Sequence, residues 1–326
     1  VRRCATILAL LSTSLSFGWG GLGHQLVNDL AWTDLSTKSK VAVAKILLAG
    51  DPTYRPAAPD GPLDESYLEK KVRPMFAMAA LWPDDIKNPA KFTSPLFDSW
   101  VKRFNRESPG VRPNLGKEEV LMKTWHYYDV PLFDATGRKQ ARPSNAVRGL
   151  SIALPAFRAG NAETRAFWLY WITHIVGDLH QPLHCCESFK HHPEEGDEGG
   201  NLFNIYLNSS RSQNARRNLH SLWDGGVQDA VRLDQRFPAN ADLEVISSAW
   251  KSDPYGPSEA EISRQDPLDW ANEGASIAKT RVYADIEPES VLSDSYRVRL
   301  AATCKGQARL AGARLARLLN NILDPS

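Results

Sequence analysis

Apolar residues recur at helical spacing through most of the chain: Val41, Ile46 and Leu47; Val147, Leu150 and Leu154; Phe167, Leu169, Ile172 and Val176; Leu243, Ile246 and Trp250; Leu310, Leu315, Leu318 and Ile322. Positions three and four apart share one helix face, so each group marks a helix that buries one side. The block beginning near Glu163 differs. Its Phe167, Trp168, Trp171, Ile172 and Ile175 make it apolar on most sides, which predicts a helix inside the core. The last pattern, from about Asp294 to Leu323, is long and alanine-rich and predicts a helix packed across several others.

Only Leu202 to Leu207 alternates like a strand. It follows Gly199-Gly200 and precedes a polar stretch reaching Asn218, so a short hairpin is expected there. Residues 51–62, with four prolines, and 187–200, rich in acidic residues and glycine, read as surface loops. Neither an internal repeat nor a dividing linker is visible. The predicted class is all-α, a mainly helical single domain with a short β-hairpin.

With 326 residues, 42% hydrophobic and 24% charged, the chain can bury a sizeable core, and its composition excludes general disorder. Residues 1–18 read as a secretory signal peptide: Arg2 and Arg3, an apolar run from Ala5 to Leu11, then Ser16-Phe17-Gly18 with small residues at the last and third-last positions before the expected cut. Cleavage after Gly18 would leave a domain spanning 19–326 and export the protein to a secreted or periplasmic location. It would also remove two arginines and move the formal charge from +1 to −1. A generic electrostatic nucleic-acid binder carries a basic surplus, so any anionic substrate must meet a local positive site. Cys185, Cys186 and Cys304 would remain, which leaves room for one disulfide from Cys304 to Cys185 or Cys186 and one free thiol.

Candidate chemistry concentrates in Thr173 to His184, which packs His174, Asp178, His180 and His184 into eleven residues. His174 and Asp178 lie four apart and share a helix face. Pro182 disfavours continuing that helix, so His184 approaches from a turn. His220 and Asp224 repeat the His-x-x-x-Asp spacing, and two such pairs suggest a polynuclear metal centre. Imidazole and carboxylate donors without thiolate suit zinc in a catalytic site. Of the eight histidines, His191 and His192 fall in a charged loop and read as surface residues, and His180 reads as exposed or outside the direct ligands.

These residues belong to a larger set: Trp19-Gly20, Gly23-His24, Trp82-Pro83-Asp84, Trp125-His126-Tyr127-Tyr128-Asp129, His174-x3-Asp178-x5-His184, Gly199-Gly200-Asn201, and Asn218-Leu219-His220-x2-Trp223-Asp224. In content and order the set closely resembles the S1/P1 nuclease family, zinc-dependent single-strand nucleases related in fold to zinc-dependent phospholipase C. The resemblance covers nearly all of the chain after residue 18. It implies a mostly helical protein with three zinc ions in a cleft. One zinc would rest on Asp84, His126, His174 and Asp178, and a second on His184, His220 and Asp224. The third would take the amine and carbonyl oxygen of Trp19 with His24, Asp178 bridging to the first. Only cleavage after Gly18 would free that amine.

The resemblance further implies that Asp84 orients a metal-activated water or accepts its proton, and that Lys87 faces the scissile phosphate. Asn201 would bind phosphate and base, with Gly199 and Gly200 letting the substrate approach the backbone, while Tyr127 and Asp129 would stack on and hydrogen-bond to a nucleobase. The implied activity is hydrolysis of single-stranded DNA and RNA to 5′-phosphorylated products, with 3′-nucleotidase action on nucleotides. Two other readings compete: a zinc-dependent phospholipase C, which resembles this chain except for a glutamate in place of Asp224 and a shorter gap between the histidines matching His184 and His220, and a secreted zinc-binding protein without catalysis. The chain departs from fungal and plant relatives in Cys185-Cys186 directly after a ligand, in a longer segment up to His220, and in Pro83 before Asp84.

Overall fold

The computed structural model describes residues 19–86, 122–133, 145–238 and 240–325. The proposed signal segment and Lys87 therefore lie outside the described residues. The protein is all-α, and none of its described helices is long and apolar enough to cross a membrane.

Four helices carry donor residues to the site. Helix α1 (Gly21–Asp34) buries His24, Leu26, Val27, Leu30, Ala31 and Trp32 and lies along the long C-terminal helix. Between them in sequence come α2 (Thr37–Leu48), α3 (Arg73–Ala79), the single turn α4 (Trp82–Asp85) and α5 (Ala146–Ala159). Helix α6 (Ala162–Asp178) follows α5 after only Gly160 and Asn161, and such a short connection makes the two antiparallel neighbours. The Asn161 side chain accepts from Thr164 N–H and caps its start. Every residue of α6 from Ala166 to Asp178 is buried, as a helix apolar on all sides requires, so the ligand candidates His174 and Asp178 sit at the centre of the molecule. The helix stops at Asp178, and Pro182 opens the next turn (Pro182–His184).

Two small sheets hold the loops over this helix. Strand β1 (Val130–Leu132) pairs in parallel with β2 (Cys186–Ser188), with Val130 opposite Cys186 and Pro131 opposite Glu187. Tyr128 N–H also donates to the His184 carbonyl at 2.7 Å. The segment carrying His126, Tyr127 and Asp129 is thereby fixed against the one carrying His184 and Glu187. This parallel pair is absent from the sequence expectation. The expected hairpin is present: β3 (Asn204–Tyr206) runs antiparallel to β4 (Arg216–Asn218), and Leu219 N–H donates to the Phe203 carbonyl at 2.8 Å. Helix α7 (Leu219–Asp224) starts from the Asn218 cap, so the hairpin sets where His220 enters.

Helices α8 (Gly226–Leu233), α9 (Leu243–Lys251) and α10 (Pro267–Ile277) follow, and α11 (Asp294–Leu323), about 45 Å long, packs against α1, α6 and α8. Its bounds match the apolar pattern. Two expectations need correction. Among the described residues there is no disulfide: Cys185, Cys186 and Cys304 are all free and buried. Cys185 Sγ lies against Gly274 and points to the Leu179 carbonyl at 3.3 Å, whereas Cys304 Sγ lies against Gly226, so the two face different helices. His180 lies outside the metal groups, as one of its two readings had it, but it is not exposed. It is 1% exposed, with Nδ1 2.7 Å from the Val176 carbonyl and Nε2 3.0 Å from Arg314. Arginine only donates, so Nε2 accepts and Nδ1 carries the proton.

Candidate metal centre

Three groups of donors converge where α1, α4, α6 and α7 meet: His24 with His174 and Asp178; Asp84 with His126 and His174; and His184 with His220 and Asp224. In each, the donor atoms lie within 4.8 Å of one another. Local sequence explains how each arrives. His24 comes from the buried face of α1, with its ring stacked on His174 at 4.0 Å between centroids. Asp84 stands in the first turn of α4, where Pro83 costs nothing because that N–H has no helical acceptor. His220 and Asp224 share one face of α7.

Asp178 joins two groups through different oxygens. Its Oδ2 is 3.0 Å from His174 Nε2 and 3.1 Å from His126 Nδ1, while Oδ1 is 3.4 Å from His24 Nε2. Asp84 Oδ1 is 3.8 Å from both His126 Nδ1 and His174 Nε2. In the third group, His184 Nε2 is 3.5 Å from Asp224 Oδ1 and His220 Nε2 is 3.5 Å from Asp224 Oδ2. The separations of 3.4–3.8 Å are long for hydrogen bonds, whereas the 3.0 and 3.1 Å approaches to Asp178 Oδ2 fall within hydrogen-bond range. They are near the ~3.3 Å expected between two ligand atoms of one tetrahedral zinc with bonds of about 2.0–2.1 Å.

The hydrogen bonding of the imidazoles points the same way. His174, His184 and His220 each direct Nδ1 at a backbone carbonyl, of Ala80, His126 and Gly199 respectively, at 2.7, 2.6 and 2.8 Å. That bond fixes the tautomer and turns Nε2 inward as a lone-pair donor. His184 Nε2, His220 Nε2 and Asp224 Oδ2 are buried without a hydrogen-bond partner, a costly arrangement unless a cation completes it. The donor set fits zinc.

Charge states agree in part with ligand duty. Burial would raise the Asp178 carboxyl, but the charges of His174 and His184 and hydrogen bonds from His126 and His174 hold it well below the usual carboxylate range, so it stays ionised. Burial and the neighbouring His174 lower His24, keeping it neutral. For His184, burial lowers the pKa, yet Asp178 and Asp224 outweigh it and bring it to about 9. Asp178 and Asp84 likewise raise His174 against its burial. Metal entry at these two imidazoles therefore displaces protons, and affinity falls in acid.

A cavity of about 180 Å³ opens beside the second pair of ligands, lined by His126, His184 and His220 together with Tyr127, Asp129 and Asn201. Four of the motifs noted in the sequence thus meet around one space. Gly199 is also on its wall, whereas Gly200 is buried against Leu183, Leu219 and the His220 backbone. Gly199 has φ of +63°, and a Cβ there would come within 2.6 Å of the Leu183 carbonyl. Its role is to let the loop close on His184 and His220, in addition to any approach of substrate.

With this geometry in place, the family model for S1/P1 nuclease matches residues 19–324. The chain belongs to the S1/P1 nuclease family. This S1/P1 nuclease is therefore a hydrolase of nucleic acid, in a family that depends on zinc. Among its curated relatives are Endonuclease 2 of Arabidopsis thaliana, 22% identical over 99% of this chain and 96% of the relative, and Endonuclease 4 of the same plant, 24% identical over 94% and 89%. Endonuclease 5 is 28% identical over 48% of this chain and 51% of its own length. The family match begins at Trp19, which is fully buried and donates its indole N–H to the Gly177 carbonyl at 2.6 Å. Gly20 N–H donates to the Asp224 carbonyl at 2.8 Å, so the Trp19 main chain lies beside the donor groups.

Sequence reasoning missed several residues that shape this S1/P1 nuclease centre. Gly177 faces His24: a Cβ there would be 2.7 Å from its Nδ1. A glycine inside an apolar helix, one residue before a ligand, was the available signal. Gln181 is buried and bonded to Asp224. Glu187 and Glu198 also line the cavity.

Proposed function

We propose that this nuclease cuts single-stranded DNA and RNA to 5′-phosphorylated products with three zinc ions, and that it removes 3′-phosphates from nucleotides. The carrying observation is the convergence of three His/Asp groups beside a cavity that holds Tyr127, Asp129 and Asn201. Asp84, His126, His174 and Asp178 would hold one zinc; His184, His220 and Asp224 a second; and His24 with the Trp19 amine and carbonyl oxygen a third, Asp178 being shared. Zinc in such sites supplies a Lewis acid for the phosphoryl oxygen and a lowered pKa for water.

The side chains divide the remaining work. Asp84, 28% exposed and so open to solvent, orients the attacking water and takes its proton. Lys87, which lies outside the described residues, is given the phosphate on the strength of the family resemblance alone. Tyr127 stacks on a base, Asp129 and Asn201 accept from and donate to it, and Gly199 brings backbone close to the strand, while Gly200, packed behind it, supports the loop. A cavity of about 180 Å³ admits one unpaired base, which a single strand presents without the cost of opening a duplex. The export reading of residues 1–18 fits this chemistry, because cutting after Gly18 frees the Trp19 amine as a donor. The test is incubation of the zinc-loaded protein beginning at Trp19 with single-stranded DNA, RNA and duplex DNA across acid to neutral pH. Degradation of both single strands ahead of duplex is expected; intact single strands throughout would overturn the reading.

A further inference from the structure

The turn that carries Gly199 and Gly200 is anchored from outside itself. Glu198, Gly199 and Gly200 are three consecutive residues with positive φ, of +52°, +63° and +87°, and a non-glycine residue in that region costs backbone free energy that the surroundings must offset. At the base of the turn stands Asp197, 1% exposed. Its carbonyl accepts from Gly200 N–H and Leu202 N–H, both at 3.1 Å, which closes the turn. Its carboxylate ties the turn to two other parts of the chain: Oδ1 accepts from Ser188 N–H at the end of β2 at 3.0 Å, and Oδ2 accepts from the Tyr283 hydroxyl at 2.6 Å. Tyr283 is itself packed edge-on against Phe133 and Phe203. Burial raises the Asp197 carboxyl above its ordinary pKa, and the hydrogen bonds from Tyr283, Ser188 and Gly200 offset only part of that rise.

Two contacts from this turn hold His220. Its Nδ1 lies 2.8 Å from the Gly199 carbonyl, and its backbone N–H donates to the Gly200 carbonyl at 3.3 Å. The first bond orients the imidazole and leaves Nε2, buried without a hydrogen-bond partner, directed at Asp224. The Asp197 carboxylate bonds to Ser188 and Tyr283 and to none of the donor residues. A shift of the turn would therefore move the acceptor behind His220. It would leave in place the Gln181 tie to Asp224, the His126 carbonyl behind His184 and the other two donor groups.

We infer that Asp197, braced by Tyr283, is a positioning residue for the second zinc: it fixes the turn whose Gly199 carbonyl aims His220, and so sets how firmly the His184, His220 and Asp224 group holds metal. This rests on the three-zinc reading of the site. Tyr283→Phe keeps the ring and removes only the hydroxyl, and Asp197→Ala removes both ties. Asp197→Asn keeps an oxygen for Ser188 N–H and an amide that can donate to the tyrosine oxygen. Each protein, beginning at Trp19, is loaded with zinc and dialysed against graded chelator, and its zinc is counted. In Asp197→Ala and Tyr283→Phe one zinc is expected to leave at about 10- to 100-fold lower chelator concentration than in the parent, with the other two retained as before, and Asp197→Asn is expected to behave as the parent. In a His220→Ala background neither Asp197→Ala nor Tyr283→Phe should change zinc release further, because effects that act through one residue do not add. Release of all zinc together, release unchanged in both variants, or a further loss in the His220→Ala background overturns the inference and leaves the three-zinc reading standing. A parent protein that never holds three zinc ions overturns both.

Discussion

The Gln181 side chain donates from Nε2 to Asp224 Oδ1 at 2.7 Å while its own Oε1 accepts from Leu183 N–H at 2.7 Å. One fully buried carboxamide thus ties the turn that delivers His184 to the carboxylate that faces His184 and His220, from elements far apart in the chain. It occupies one lone-pair direction of Oδ1 and leaves Oδ2 directed at the metal side.

Removing that tie should loosen the second zinc before it harms the others. In Gln181→Leu, zinc affinity at the His184, His220 and Asp224 group is expected to drop about 10- to 100-fold. Stability should fall by about 1–3 kcal/mol, because Leu183 N–H loses its partner. Zinc content after dialysis against graded chelator reads this out; unchanged retention of all zinc would show that Gln181 does not position Asp224.

Gly177→Ala places a methyl group 2.7 Å from His24 Nδ1, with no room for the ring to stay stacked on His174. The expected result is loss of one zinc per chain and a destabilisation of about 1–3 kcal/mol from the overpacked contact. Metal analysis beside His24→Ala provides the check, since both variants should fall to the same stoichiometry. Full metal content in Gly177→Ala would contradict the placement of His24 in a metal group.

Asp84→Asn keeps the shape of a part-exposed residue and removes its basicity. Hydrolysis of single-stranded RNA is expected to fall by about 10²- to 10⁴-fold with circular dichroism unchanged. Loss of less than tenfold would deny Asp84 its proton-handling role, and the absence of any activity in the parent protein would favour a zinc-binding protein without catalysis.

His180 governs acid stability away from the metals. Burial first, and then the Arg314 charge, depress its pKa from 6.5 to about 3, so the folded protein keeps it neutral where the unfolded chain protonates it. Between those values the unfolded state binds the extra proton. Stability therefore declines as pH falls from about 6.5 towards 3, by up to about 1.4 kcal/mol per pH unit from this group alone. Denaturant unfolding of metal-free protein across that range should show a shallower pH slope for His180→Gln than for the parent. Equal slopes would contradict this account.

The limits of sequence reading follow from range. Helices α6 and α11 were legible because their apolar patterns are long and continuous, and the hairpin because β3 alternates beside glycines. The donor residues were legible because i, i+4 spacing is local and the motif order is distinctive. The β1–β2 pair was not, since three residues such as Val130–Leu132 have no periodicity and parallel pairing joins distant segments. The burial of His180 was not legible for a related reason: its partner Arg314 sits on α11, 134 residues away. The cysteines looked able to pair only while their separate helical neighbours were unknown. Nothing local announced that Glu187 and Glu198 would share a cavity with Tyr127.

The most direct test of the account is zinc content and hydrolysis measured on one sample of the chain beginning at Trp19, alongside a form with one extra residue before Trp19. The account predicts three zinc ions per chain in the first, two in the second, and hydrolysis of single-stranded RNA that disappears on chelation and returns with zinc. Three zinc ions in the extended form would refute the role of the Trp19 amine, and hydrolysis that persists without zinc would contradict the metal centre itself.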